Sequence, residues 1–149
     1  MDSDAPPAIA LRLPGYLPAT PNTLRGKHWS VVRKEKTRAA RALAIALVVA
    51  GRASRNSAPK GSRWQLHIVR RGPGTLDRDN LPGAYKQLQD ALVDSGLIPS
   101  DTARTLWPTH SDMPTRRRDE QGTLVMLRRV PEGEELSPWF PRCAAQGGS

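Results

Sequence analysis

Residues 74–96, GTLDRDNLPGAYKQLQDALVDSG, join an acidic turn to an amphipathic helix. Apolar residues follow the turn at three- and four-residue steps: Leu81, Ala84, Tyr85, Leu88, Ala91 and Leu92. This spacing predicts one buried helix face. Pro82 near the first turn and Gly96 after the last support a helix that begins at Asp79 and Asn80. The stretch therefore predicts a packed helix with acidic residues at its amino end.

The rest of the chain predicts one α+β domain around that helix. Strands are expected from the β-prone segments starting at residues 8, 64, 104 and 122, and a further helix from about residue 29 to residue 50. The order predicts a small mixed sheet packed with two main helices. The domain is expected to span residues 8–130, between flexible tails at residues 1–7 and 131–149. Trp139 and Phe140 leave open that the second tail is pinned to the body or to a partner.

Charge favours a polyanionic partner. The 149 residues contain 23 Lys and Arg against 14 Asp and Glu, for a formal charge of +9 and a pI near 10.8. Such a field is typical of nucleic-acid binding, although a protein that is merely basic has the same composition. A single cysteine, Cys143, excludes an intramolecular disulfide. We find no secretory or membrane-spanning pattern, so we expect a cytoplasmic protein without membrane attachment.

The acids suggest a metal site. In an extended segment Asp77 and Asp79 point to the same side, and two such carboxylates favour a bound Mg²⁺ or Mn²⁺. The alternative is that they only cap the helix. Asp101 adds a third acid after the helix. Three acids on separate backbone segments can form a cage in which a metal polarises a phosphodiester and activates water.

The basic residues allow two interpretations each. Lys86 and Asp90 stand at i and i+4, so they can pair with each other, or Lys86 can hold a phosphate. On the long helix, Lys34, Arg38 and Arg41 share a face that either grips phosphates or is simply solvated.

The motif resembles that of the RusA family of Holliday junction resolvases. The matching residues are Asp77, Asp79, Asn80, Leu81, Lys86, Asp90, Leu92, Gly96 and Asp101, with Asn22, His28 and Trp29 near the amino end. Two departures stand out: the family's terminal acid pair is Ser100 and Asp101 here, and four residues separate Leu81 from Lys86.

This resemblance implies a RusA-like fold and a Mg²⁺-dependent nuclease, with Mn²⁺ able to substitute. It implies that Asp77, Asp79 and Asp101 hold the metal, with Asp90 as a less certain fourth acid, and that Lys86 helps the scissile phosphate. Asn80 is expected to support the turn. His28 is expected to be a structural residue at the helix start, and Trp29 beside it a core anchor.

The resemblance also implies a homodimer that nicks four-way junctions symmetrically, in a bacterial or phage-infected cell. A two-fold dimer suits the two-fold related strands of such a junction. Phosphate contacts are expected from Lys34, Arg38, Arg41, Arg70, Arg71, Arg116, Arg117 and Arg118. Two rivals remain: a catalytically inactive junction binder, and a nucleotide-sugar transferase, which also uses paired acids but is disfavoured by the short, basic chain.

Overall fold

Four strands form one sheet in the part of the chain that the computed structural model describes, residues 8–19, 29–52, 58–76 and 79–141. The strands are β1 (Ile9–Pro14), β2 (Trp64–Arg71), β3 (Leu106–Asp112) and β4 (Gly122–Arg129). The helices are α1 (Trp29–Val49), α2 (Asn80–Ala84) and α3 (Lys86–Asp94), with a 3₁₀ turn at Arg118–Glu120. The bounds of the strands and of α1 lie within about two residues of the predicted ones, whereas the single helix predicted after the acidic turn is divided at Tyr85 into α2 and α3.

The sheet is mixed, in the order β1-β4-β2-β3. Strand β4 is antiparallel to both β1 and β2, whereas β2 and β3 are parallel. Parallel neighbours need a crossover connection, which the segment containing α2 and α3 provides. The α+β class and the mixed sheet are therefore confirmed.

The main core lies between the helices and one face of the sheet. All six apolar residues of the predicted stripe on α2 and α3 are buried, including Tyr85, Leu88 and Leu92. On α1 the buried positions include Ala39 and Leu43. The spacing of apolar residues therefore predicted the packed face of the acidic helix correctly.

The prediction that Trp29 anchors the core is wrong. Its side chain is 63% exposed, and α1 packs into the core through residues from Glu35 onward. Helical spacing places Trp29 close to the buried stripe, but a residue in the first turn can project past the packed surface. His28 lies outside the described residues.

Residues 131–141 cross the second face of the sheet. The Gln65 side-chain amide donates to the carbonyl of Ser137 at 2.8 Å, and the Thr109 hydroxyl donates to the carbonyl of Trp139 at 2.7 Å. Phe140 contacts the ring of His67 edge-on, with centroids 5.6 Å apart. The sequence left open whether Trp139 and Phe140 contact the body of the domain or a partner. In the structure they contact the body of the domain.

Within the described ranges, no helix is both long and apolar enough to cross a membrane.

Candidate functional site

The acidic turn lies at the carboxyl end of the parallel pair β2 and β3. Arg70, near the end of β2, is in register with Asp112, the last residue of β3. The loops that follow the two strands therefore leave from the same edge of the sheet, which is where parallel sheets commonly place functional groups. The loop after β2 leads to the acids, and the loop after β3 contains the three consecutive arginines, Arg116 to Arg118.

Asp112 fastens the start of the acidic turn. Its Oδ2 accepts a hydrogen bond from the backbone N–H of Leu76 at 2.6 Å, and its Oδ1 lies 3.3 Å from Arg70 Nη1. The same Arg70 nitrogen donates to the carbonyl of Gly74 at 3.2 Å. Gly74 has a φ of +80°, a conformation that favours glycine. One carboxylate and one guanidinium therefore hold the turn against β3.

Asp79 stands at the N-cap position of α2 without acting as a cap. Its carboxylate makes no hydrogen bond to the first helical turn, and the residue is exposed. Its φ of −69° and ψ of −23° are helical, so the predicted extended alternation does not hold at this position. Asp77, with which it was expected to share a side, lies outside the described residues. Asp79 therefore has an acidic group accessible to a ligand, whereas the capping alternative lacks its hydrogen bond.

A neutral, hydrogen-bonded layer lies behind this turn. Thr123 Oγ1 donates to the carbonyl of Tyr16 at 2.8 Å and accepts from the Tyr85 hydroxyl at 2.9 Å. The Tyr85 ring stacks on His110, with centroids 6.1 Å apart. Burial raises the pKa of Tyr85 to about 12, and burial, with a smaller effect of His67, lowers the pKa of His110 to about 4. Neither ring carries charge near neutral pH, so we assign this layer a structural role behind the acidic turn.

Lys86 and Asp90 pair with each other at the start of α3. Lys86 Nζ lies 3.5 Å from Asp90 Oδ1, and the lysine side chain is 67% exposed. Of the two arrangements that the spacing allowed, this is the mutual ion pair. An exposed pair of this kind contributes little stability, so Lys86 remains able to exchange Asp90 for a phosphate.

Asp101 lies at the other end of the strands, so the structure does not bring it beside Asp79 within one chain. It precedes β3, and Trp64, the first residue of β2, is in register with Leu106. Six residue steps along β2 separate that end from Arg70, or about 20 Å at the usual rise of a strand. Among the described residues, no three His, Cys, Asp or Glu side chains group closely enough to hold a metal ion.

The side chains predicted to contact phosphate fall into two groups: those that already pair with an acidic residue, and those that are exposed without such a partner in the described ranges. Arg70 pairs with Asp112, and Arg71 lies 3.5 Å from Glu120. Both side chains are mostly buried, which argues against the phosphate contacts expected of them. Arg38 pairs with Glu35 at 2.9 Å, and Arg117 pairs with Asp119 and Glu120. The available side chains, exposed and without an acidic partner in the described ranges, are Lys34, Arg41, Arg116 and Arg118.

A shallow, open surface groove of about 560 Å³ lies along the amino-terminal half of α1, and the described residues that line it all belong to that helix. Trp29, Arg33, Lys34, Arg38 and Arg41 line it, with two hydroxyl side chains between them. The sequence predicted Lys34, Arg38 and Arg41 to share this surface, and the structure brings them to it. The contribution of the exposed tryptophan was missed.

Asp112 is the main residue that sequence reasoning overlooked. The signal was present, because Asp112 directly follows the strand predicted over residues 104–111, before Met113 and Pro114. Polar residues at the carboxyl ends of parallel strands are often functional. What the sequence did not supply was that β2 and β3 are neighbours in register.

No known protein-family model matches the chain, and no curated protein matches it. The function is therefore inferred from the residues and their arrangement.

Proposed function

We propose that this protein is a Mg²⁺-dependent endodeoxyribonuclease that resolves four-way DNA junctions by paired, symmetric nicks. The observation that carries the proposal is Asp79, an exposed carboxylate that caps nothing, on a turn that Asp112 and Arg70 fasten to the sheet. Residues 74–76 held against the sheet and followed by an available acid suit a metal-dependent site, because ligands must be held near their working geometry. The resemblance of the acidic motif to the RusA resolvases gives the reaction class.

The cations at the same end of the sheet support a phosphate-bearing substrate. Arg116 and Arg118 stand in the turn after β3, next to the acidic turn, and have no acidic partner among the described residues. Exposed arginines and lysines that neutralise phosphates supply much of the affinity for nucleic acid. Contacts of this kind bind the backbone and not the bases, so we infer selectivity for the shape of the DNA.

The donor set fits a hard divalent cation. Asp79 offers carboxylate oxygens, which Mg²⁺ and Mn²⁺ prefer, and Asp77 stands two residues before it in the sequence. When bound, the metal supplies Lewis-acid activation of the phosphodiester and of water. Lys86 follows these acids in the sequence, and once its ion pair with Asp90 is broken it would hold a phosphate beside them.

A homodimer resolves the position of Asp101. Within one chain Asp101 lies about 20 Å along the strands from the acidic turn, so it takes part only where a second copy brings it there. A two-fold dimer would supply two such exchanges and two equivalent sites. We infer that the active form is this dimer, acting in the cytoplasm of a bacterial or phage-infected cell.

The decisive experiment is cleavage of a synthetic four-way junction, beside linear duplex and single strand, in Mg²⁺ or in EDTA. Wild type is compared with Asp79→Asn and with Asp94→Asn, since Asp94 is an exposed acid at the far end of α3. We expect paired, metal-dependent nicks near the crossover, reduced at least about 100-fold by Asp79→Asn and unchanged by Asp94→Asn. Indifference of the wild type to the junction would sink the proposal.

One observation favours a second candidate, a junction-binding protein without catalysis. The described residues of one chain contain no group of three potential metal ligands, and Ser100 stands where the resemblance leads one to expect an acid. Such a protein would bind the junction equally well in Mg²⁺ and in EDTA and would leave every strand intact.

A further inference from the structure

The groove on α1 combines an exposed aromatic ring with a cation stacked against it. Trp29 is 63% exposed although tryptophan usually buries most of its surface. The guanidinium carbon of Arg33, one helical turn later, lies 5.8 Å from the centre of the indole ring. This distance is within the range of a cation–π contact, which holds the ring in place. The groove thus begins with a supported aromatic ring that is largely exposed.

The remaining cations of the groove differ in what already holds them. Arg38 is committed, because it pairs with Glu35 at 2.9 Å and its guanidinium lies 4.8 Å from the ring of Tyr16. Lys34 and Arg41 are exposed and have no acidic partner in the described ranges. Residues 29–41 cover about 18 Å of helix. One stripe therefore presents an aromatic ring followed by available positive charges over that length.

This combination matches the chemistry of single-stranded nucleic acid. Proteins that bind single strands pair a positive groove for the backbone with aromatic rings on which bases stack. A duplex keeps its bases stacked inside, so it has no use for an exposed indole in a groove. A purely acidic protein partner would use the cations but would leave the ring without a matching group.

The groove is also connected to the acidic turn. Tyr16, under Arg38, accepts a hydrogen bond from Thr123, and Thr123 accepts one from Tyr85 at the junction of α2 and α3. The amino-terminal half of α1 therefore lies at the same end of the sheet as Asp79. A strand bound in the groove would therefore lie at the same end of the sheet as the acids.

We propose that this groove binds unpaired DNA, with one base stacked on Trp29 and its neighbouring phosphates held by Lys34 and Arg41. The inference rests on the proposed function and deepens it, because it makes unpaired nucleotides at the branch point part of the substrate. Trp29 thereby changes from a structural residue to a binding residue, and Arg33 orients it.

The test is fluorescence anisotropy with a labelled 15-nucleotide oligo-dT, over a series of salt concentrations. Trp29→Ala is compared with Trp107→Ala, because Trp107 is also exposed, at 40%, but lies on β3 away from the groove. Lys34→Ala is compared with Lys36→Ala, a lysine of the same helix that does not line the groove. Trp29→Phe keeps a ring and guards against a folding defect.

We expect Trp29→Ala to weaken binding roughly 5- to 100-fold and Trp107→Ala to leave it unchanged. Trp29→Phe should keep most of the affinity. Lys34→Ala should lower the slope of log K against log salt by about 0.7, the value for one phosphate contact on a single strand, whereas Lys36→Ala should not.

Three results would overturn the inference: no binding of oligo-dT, equal effects of the two tryptophan variants, or an equal loss of heparin binding in Trp29→Ala, since heparin has no bases. Junction cleavage is measured on the same preparations, which keeps the two proposals apart. Binding that depends on Trp29, without any cleavage, would support the groove proposal and contradict the nuclease proposal. Cleavage, with binding that does not depend on Trp29, would support the nuclease proposal and contradict the groove proposal.

Discussion

The two ends of the parallel pair β2 and β3 are built from different chemistry. At the amino end, hydroxyl groups of Ser100, Thr102 and Thr105 bond to one another, with Ser100 and Thr105 2.6 Å apart. At the carboxyl end, the Asp112 carboxylate pairs with Arg70 and holds a backbone N–H. Neutral hydroxyls that bond to one another carry no charge to desolvate, whereas a buried charge needs its partner. The charged end is therefore the one whose shape depends on single side chains.

The largest effect is expected from neutralising Asp79 or Asp101, whose carboxylates lie at opposite ends of the parallel pair. Asp79→Asn and Asp101→Asn should each lower junction cleavage at least about 100-fold. When the two variants are refolded together, some dimers contain one chain of each variant. If each site combines Asp79 of one chain with Asp101 of the other, such a mixed dimer has one intact site. Random pairing should then restore about a quarter of the wild-type nicking. Gel assays of single-strand nicks measure this.

A mixture as inactive as its components would show that Asp101 does not act across a dimer. Mixing Asp79→Asn with wild type gives the control for subunit exchange, because exchange leaves the total nicking at about half of the wild-type value but lowers the share of dimers that make paired nicks from about a half to about a quarter.

Removing the carboxylate at the charged end should destabilise the domain. Asp112→Ala leaves the mostly buried Arg70 without its acidic partner and frees the Leu76 N–H, which together cost about 3–5 kcal/mol. Thr105→Ala at the neutral end should cost about 1 kcal/mol. Urea unfolding followed by circular dichroism gives both free energies. Asp119→Ala is the matched control, because that acid is 71% exposed. Equal losses at the two ends would remove the distinction between them.

Lowering the pH should reduce the stability contributed by the layer of Tyr85 and His110 behind the charged end. Burial lowers the pKa of His110 to about 4, below its ordinary value of 6.5, so the folded state resists protonation more than the unfolded state does. The stability linked to His110 is present above pH 6.5 and is lost as the pH falls from 6.5 to 4, by at most about 3 kcal/mol. His110→Phe should flatten that part of the stability profile, because it removes the group that titrates; it also removes a buried Nε2 that has no hydrogen-bond partner among the described residues. Unfolding experiments at pH 7, 5.5 and 4.5 measure the difference, and parallel profiles would contradict the assignment.

The smallest change in stability is expected at Lys86. Lys86→Met breaks an exposed pair with Asp90, which is worth about 0.2–0.5 kcal/mol. Cleavage should nevertheless fall if Lys86 holds the phosphate, whereas a lysine that only pairs with Asp90 would leave it unchanged. Lys60→Met, at an exposed lysine before β2, controls for loss of a positive charge.

Much of the fold could be predicted because its elements carry strong patterns. The stripe from Leu81 to Leu92 is buried as its spacing required, and β2 has the predicted bounds because Gly72 and Pro73 end a β-prone run. The exposure of Trp29 could not be predicted, because helical periodicity does not say where along a helix the packed surface begins.

The separation of Asp101 from Asp79 was, by contrast, implicit in the predicted elements. A strand, a helix and a parallel strand place the loop before the helix and the loop after it at opposite ends. The missing information was the direction of β3 relative to β2. Short motifs record order along the chain and do not record this direction, so acids close in sequence were expected to meet in space.

The position of β4 has a consequence for the synthesis of the protein. This strand is the last of the four in the sequence, yet it lies between β1 and β2, and Ile9 pairs with Leu127. While the ribosome is still making residues 122–129, β1 has no neighbour in the sheet and the apolar residues Leu11 and Leu13 have no strand beside them. Pairings so distant in sequence form slowly. The nascent chain therefore exposes an unpaired strand until β4 has been synthesised, which makes the time before β4 emerges the period of greatest risk of aggregation.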